Sequence, residues 1–96
     1  ARRGLAGPAP HCDADNPFQP LHAWLKAQPA TTRRVTLTWW EWRRMAGGDL
    51  PAAAEADRGW WHNDPSTPQA QAWLSAGWVV VMAHCIEGRA VFARIR

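Results

Sequence analysis

The sequence predicts a small mixed α+β domain, with three main helices, a short strand and a C-terminal β-hairpin. Three observations predict it. Helix-starting signatures stand at Asn16-Pro17, Thr38-Trp39-Trp40-Glu41 and Thr67-Pro68, each followed by apolar residues at helical spacing. Two extended apolar runs flank Glu87-Gly88, the arrangement of a hairpin with a tight turn. The 96 residues include eight Trp, and each can remove on the order of 150–250 Å² from water, so a few of them close a small core.

Residues 1–15 contain Gly4, Gly7, Pro8 and Pro10 with no apolar period, and read as a flexible, extended N-terminal arm whose tip, Arg2-Arg3, is basic. The start lacks Met, as a processed or truncated chain would. Residues 16–96 read as one domain, since a chain of this size cannot support two cores. Asn16 caps a first helix predicted over 17–28, with Phe18, Leu21, Trp24 and Leu25 at helical spacing and Pro29 as its stop. Arg33 to Thr38 alternates and places Val35 and Leu37 on one strand face. Thr38 and Glu41 form a capping box for a second helix over 39–46, closed by Gly47-Gly48. Trp39, Trp42 and Ala46 share its inner face. Trp40 falls off that face, beside Arg43 and Arg44 at i+3 and i+4.

Leu50 to Ala56 is a Pro-started, Ala-rich helical turn broken by Arg58-Gly59. Trp60-Trp61 then runs extended or in a tight loop, with one indole inward. A third helix is predicted over 68–76, with Ala70, Trp73 and Leu74 as its apolar stripe, Gln69, Gln71 and Ser75 on the other face, and Gly77 as its stop. Trp78 to Ile86 and Arg89 to Arg96 are the two hairpin strands. Trp60 or Trp61, Trp73 and Trp78 should clamp the third helix onto the hairpin. Arg94 and Arg96 share a strand face with Phe92, where they either extend a basic surface or solvate an edge strand.

The chemistry of the chain is restrained. Hydrophobic residues at 47% and charged residues at 20% describe a folded globular chain and not a disordered one. No run approaches the ~18 apolar residues of a membrane helix, so a soluble, cytoplasmic protein is expected. Cys12 and Cys85 are too few for a disulfide scaffold, and His11-Cys12 and His84-Cys85 lack metal-ligand spacing, so free thiols and no metal are expected. No nucleophile elbow, phosphate loop, dinucleotide fingerprint or zinc-protease motif is present. The acid–base candidates are His62, Asp64 and Glu41, and His62-Asn63-Asp64 reads as a helix-capping loop; no catalytic residue and no cofactor is expected.

The net charge is +3 and uneven: residues 1–48 carry seven Arg or Lys against three Asp or Glu, and residues 49–96 carry four against five. Ten of the eleven cationic residues are Arg, the side chain suited to phosphate, carboxylate and aromatic contacts. Apart from the short extra helix, the element order is that of winged helix-turn-helix domains, in which the last helix enters the major groove and the hairpin turn forms the wing. A non-enzymatic module binding double-stranded DNA is therefore the first functional expectation. Gln69 and Gln71 would read base edges, with Ser66, Thr67, Arg43, Arg44, Arg58 and Arg89 on phosphates and His62 and Asn63 beside the helix start. The alternative is a protein-interaction adaptor using Trp40, Arg43, Arg44 and the hairpin edge. Expected partners are thus double-stranded DNA, a protein, or a second copy in a homodimer, with no membrane.

Leu50-Pro51-Ala52-Ala53-Ala54, Trp60-Trp61-His62-Asn63, Gln69-Ala70-Gln71-Ala72-Trp73-Leu74, Ala76-Gly77-Trp78 and Val91-Phe92-Ala93-Arg94 also carry a resemblance. From residue 17 to 96 the chain resembles a small bacterial domain family of uncharacterised function, with the pattern LP-x-SA, WW-x-N, QA-x-AWL-x-AGW and V-x-F-x-R. The resemblance implies one compact α+β domain of bacterial origin. It departs from the pattern at Trp40, where a polar or small residue is usual, at Gly48-Asp49, and in the N-terminal arm.

Overall fold

The computed structural model describes residues 12–95, so most of the expected arm, with Arg2, Arg3 and His11, and the terminal Arg96 lie outside the described residues. The elements are α1 (Gln19–Lys26), β1 (Arg34–Thr38), α2 (Trp39–Ala46), α3 (Ala52–Ala56), a 3-10 turn (Arg58–Trp61), α4 (Pro68–Leu74), β2 (Trp78–His84) and β3 (Arg89–Arg94). The mixed α+β class and the C-terminal hairpin stand as expected.

Three helix ends differ from the sequence expectation. Asn16 does not cap α1 directly: its Oδ1 accepts the Phe18 N–H at 2.8 Å and its carbonyl accepts the Gln19 N–H, which makes a separate turn before the helix begins at Gln19. Its Nδ2 donates to the Pro68 carbonyl at 2.9 Å and ties that turn to α4. At the other end α1 stops at Lys26, two residues early, because Pro29 disfavours helical geometry in the residue before it. Helix α4 likewise ends at Leu74, and Ser75 to Gly77 form a turn.

Helix α2 follows the capping rule closely. Thr38 Oγ1 accepts the Glu41 N–H at 3.0 Å while Glu41 Oε1 accepts the Thr38 N–H at 3.1 Å, so two free donors of the first turn are satisfied reciprocally. Gly47, with φ of 78°, closes it in the left-handed conformation that glycine adopts without cost.

The sheet order is β1-β3-β2, antiparallel throughout, so β3 is the central strand. Arg94 is therefore not an edge residue. Its guanidinium lies 4.4 Å from the Trp78 ring centroid, and its Nε and Nη2 donate to the Thr32 and Pro29 carbonyls at 2.9 and 2.8 Å. Register pairs Leu37 with Ala90 and Val35 with Phe92 on one side, and Ala83 with Ala90 and Val80 with Phe92 on the other. This places Leu37, Ala90 and Phe92, all fully buried, on one sheet face against the helices. The opposite face carries Thr36, Val91 and Met82, of which Thr36 and Met82 are exposed. A bulge between Val80 and Met82 adds one residue to β2 and turns Val81 out, a feature absent from the sequence expectation.

Between the sheet and α1 lies the aromatic core. Trp60 and Trp61 sit on the 3-10 turn rather than in an extended segment, because Asp57 Oδ1 accepts the Gly59 N–H at 2.8 Å and winds the chain. Trp61 is the inward one. It stacks on Trp39 at 5.3 Å and on Trp73 at 5.7 Å, with interplanar angles of 3° and 16°, and Phe92 meets both Trp61 and Trp73 edge-on. Such geometries add about 0.5–1.5 kcal/mol per pair beyond the area they bury. Three of the core indoles find acceptors: Trp61 Nε1 donates to Ala54 O, Trp78 Nε1 to Leu25 O, and Trp73 Nε1 to Asn63 Oδ1. Trp39 and Trp42 bury their N–H groups with no acceptor, a cost of about 1–3 kcal/mol each that ring burial must offset.

Candidate functional site

The expected site residues divide among four places. Arg58, His62 and Asn63 line an open groove of about 830 Å³ between the 3-10 turn and β2, whose other wall is Val80, Val81, Met82 and Ala83. Arg58 also reaches a neighbouring hollow of about 450 Å³ with His84, Cys85, Ile86 and Glu87. Ser66, Thr67, Gln69 and Gln71 sit at the start of α4. Trp40, Arg43 and Arg44 are on α2, and Arg89 follows the hairpin turn.

Within the groove, Asn63 serves the fold. Its Oδ1 accepts both the Trp73 Nε1–H at 2.8 Å and the Val80 N–H at 2.9 Å, and its Nδ2 donates to the Val80 carbonyl at 2.9 Å. One amide thus imitates a neighbouring strand, staples the loop to β2 and satisfies a fully buried indole. Three of the four hydrogen-bonding sites of Asn63, expected from sequence beside a nucleic acid, are used internally, and one N–H is left. The same staple and the adjoining bulge also shield that stretch of the β2 edge, which the adaptor reading had left open. His62 and Arg58 are exposed, and neither has an ion pair among the described residues.

At the α4 start, Thr67 is a working cap: Oγ1 accepts the Ala70 N–H at 3.3 Å and donates to the Asp64 carbonyl at 2.9 Å. Ser66 donates both its N–H and its hydroxyl to Asp64 Oδ1, at 2.9 and 2.8 Å. Those two bonds, with a smaller contribution from the nearby His62 charge, hold the Asp64 carboxyl below the usual carboxylate range. Gln69 Nε2 donates to the Trp60 carbonyl at 3.1 Å and Gln71 Nε2 to the Pro65 carbonyl at 3.0 Å. Each glutamine is half-buried, and its Oε1 and one N–H have no partner among the described residues.

On α2, Arg43 pairs with Asp49 at 3.5 Å between two exposed side chains, a contact worth little by itself. The Arg44 guanidinium lies 4.8 Å from the centroid of Trp40, which is 58% exposed. After the turn, Arg89 bonds Glu87 through Nε and Nη2 at 2.8 and 2.6 Å, and this pairing keeps the Glu87 carboxyl low. The turn is anchored to α2, because the Gly88 carbonyl accepts the Trp39 N–H at 2.9 Å.

Three surface features escaped the sequence reading. Ile86 is fully exposed at the hairpin turn, while Met82 at 52% and Val81 at 43% are laid open by the bulge. An uninterrupted apolar strand gives no signal of where a bulge falls. His22 was also missed: its Nδ1 lies 3.0 Å from both the Ala72 carbonyl and Ser75 Oγ, joining α1 to α4.

Cys12 and Cys85 are free thiols; Cys12 Sγ meets Gln19 Oε1 at 2.9 Å, and burial first, then the Asp13 charge, pushes that thiol up. Among the described residues no three His, Cys, Asp or Glu side chains stand together as a metal site, and no helix is long and apolar enough to cross a membrane.

No curated protein and no solved structure shows a significant match to the chain. Residues 18–94 match the sequence profile of a family described as "Domain of unknown function (DUF7662)". That span takes in every element from α1 to β3, including the Asn63 staple and the stacked indoles. The chain therefore belongs to this uncharacterised domain family.

Proposed function

We propose that the domain is a non-enzymatic module that binds double-stranded DNA in the manner of winged-helix proteins. The observation that carries this reading is the sheet order β1-β3-β2, with the β2–β3 hairpin following α4 directly and its turn bonded to the start of α2. That order supports the reading, because winged-helix proteins set a helix in the major groove and turn a hairpin toward the flanking backbone or minor groove.

The chemistry at α4 supports the same reading. A glutamine that reads adenine needs one N–H donor and its Oε1 acceptor, and Gln69 and Gln71 retain both. Their second N–H bonds, to Trp60 and Pro65, hold the amides in place before a duplex arrives. Arg58 and His62, with no ion pair among the described residues, precede α4 and would meet phosphates, and the Ser66 hydroxyl has lone pairs to accept with. Thr67 and Asn63 contribute through helix capping and the staple. At the turn, Ile86 has the exposure of an apolar wedge that enters a minor groove, with Arg89, two residues beyond its partner Glu87, at the start of β3.

Fluorescence anisotropy with a labelled duplex at two salt concentrations tests this. Binding through three or four phosphates should weaken by about 0.9 log units per log salt for each phosphate neutralised. Gln69→Ala with Gln71→Ala should flatten the preference among duplex sequences while the circular dichroism stays native. Absence of binding to any duplex at low salt refutes the proposal.

A further inference from the structure

On α2, away from α4 and the hairpin turn, lies a second patch, and it includes Arg44, which the sequence alone assigned to a phosphate. Trp40 is 58% exposed, and Arg44 lies across its ring at 4.8 Å. Behind them, a notch of about 290 Å³ opens between α1 and α2, lined by Trp24, Glu41, Arg44 and Met45. The notch thus joins one indole, a thioether and a guanidinium, and Arg44 links it to the exposed Trp40 ring beside it.

The charges there are unbalanced. Glu41, the one carboxylate on the notch wall, is committed to Thr38, receiving its N–H at 3.1 Å and its hydroxyl at 3.3 Å. Asp49 faces Arg43, not Arg44. Arg44 has neither an ion pair nor a hydrogen-bond acceptor among the described residues, so its donors are unused. Contact with the Trp40 ring limits the rotamers of Arg44, and a guanidinium over a ring still has N–H donors to offer a carboxylate, in bidentate geometry where both oxygens reach it. Part of the ordering entropy of such a contact is thereby already lost in the free protein.

We infer that this notch is a docking site for a partner protein segment that sets an Asp or Glu carboxylate on Arg44 and an apolar side chain against Trp24, Trp40 and Met45. A phosphodiester would use the cation and leave the apolar wall idle. An acidic and apolar peptide uses both, and Trp, Arg and Met are the residues that anchor protein interfaces. The site stands whether or not the domain binds DNA, because it shares no residue with the α4 and hairpin surface.

The experiment is an NMR titration of the full 15N-labelled chain with three synthetic peptides: one alternating Glu and Leu, one with Gln in place of Glu, one with Ser in place of Leu. The Trp40 and Trp24 indole signals and the Arg44 Nε–H should move with the Glu/Leu peptide and at least about tenfold less readily with either control. Arg44→Gln and Trp40→Ser, both at exposed positions, should each weaken the Glu/Leu peptide about tenfold while leaving the remaining spectrum native. Three results overturn the proposal: no movement of these signals at millimolar peptide, equal affinity for the Gln control, or displacement of the peptide from them by duplex DNA.

Discussion

Replacing Asn63 with Ala tests the central claim about the loop before α4. The substitution removes the one acceptor that the fully buried Trp73 indole has among the described residues, and the side-chain partner of both the Val80 N–H and the Val80 carbonyl. Val80 lies beside an open groove, so water replaces the lost bonds there at little cost. The indole N–H has no such replacement, and an orphaned buried donor costs about 1–3 kcal/mol. Because water takes up those Val80 groups, release of the loop from β2 adds only about 0.5–1.5 kcal/mol in all. The expected destabilisation is therefore about 2–4 kcal/mol, or a fall in Tm of roughly 10–25 °C for a domain of this size. Urea denaturation followed by Trp fluorescence measures it, with the midpoint falling and the slope unchanged. Asn63→Asp keeps the Trp73 acceptor but sets a carboxylate oxygen against the Val80 carbonyl, so it should cost less than Asn63→Ala only at acid pH, where the protonated carboxyl can donate there. A loss under about 0.5 kcal/mol for Asn63→Ala, the ordinary scale of a surface substitution, would refute the staple.

Three further outcomes follow from the same geometry. Gly88→Ala should destabilise by about 1–2 kcal/mol in thermal or chemical denaturation, since φ is +75° and an added Cβ would sit 3.4 Å from Trp39 Cδ1. Trp61→Ala should cost about 3–5 kcal/mol and abolish the near-UV circular dichroism of the stacked indoles; an unchanged near-UV spectrum would contradict the Trp39-Trp61-Trp73 stack. Because the folded-state pKa of Asp64 is depressed by Ser66, its contribution to stability is present above the ordinary carboxylate range and is lost as pH falls through the folded value. Ser66→Ala should raise the Asp64 pKa in a carboxyl-carbon NMR titration and shrink that acid-side loss.

Local chemistry made much of this chain legible. The capping box at Thr38 and Glu41, the left-handed glycine at Gly47, the Thr67-Pro68 start of α4 and the hairpin turn are each specified by residues within a few positions of one another, and each formed as expected. The inward stripes were legible for the same reason, and Trp39, Trp42, Trp73 and Trp78 are all buried.

Partners far apart in the chain were not. No sequence signal told whether Asn63 would face solvent or spend its amide on Trp73 and Val80, because that pairing exists only once α4 and β2 are docked. Arg94 likewise appeared as a surface cation, and pairing of β1 with β3 turned it into a brace over Trp78 bonded to the Pro29 and Thr32 carbonyls. By itself the sequence determined the elements, their ends to within two residues and the apolar faces, since propensity, capping and periodicity act over one or two turns. Only tertiary structure decided which polar side chains remained available to a partner, since a hydrogen-bonding group is free or consumed according to what the fold brings beside it. That distinction separates Asn63, consumed by the fold, from Arg44, left open to a partner.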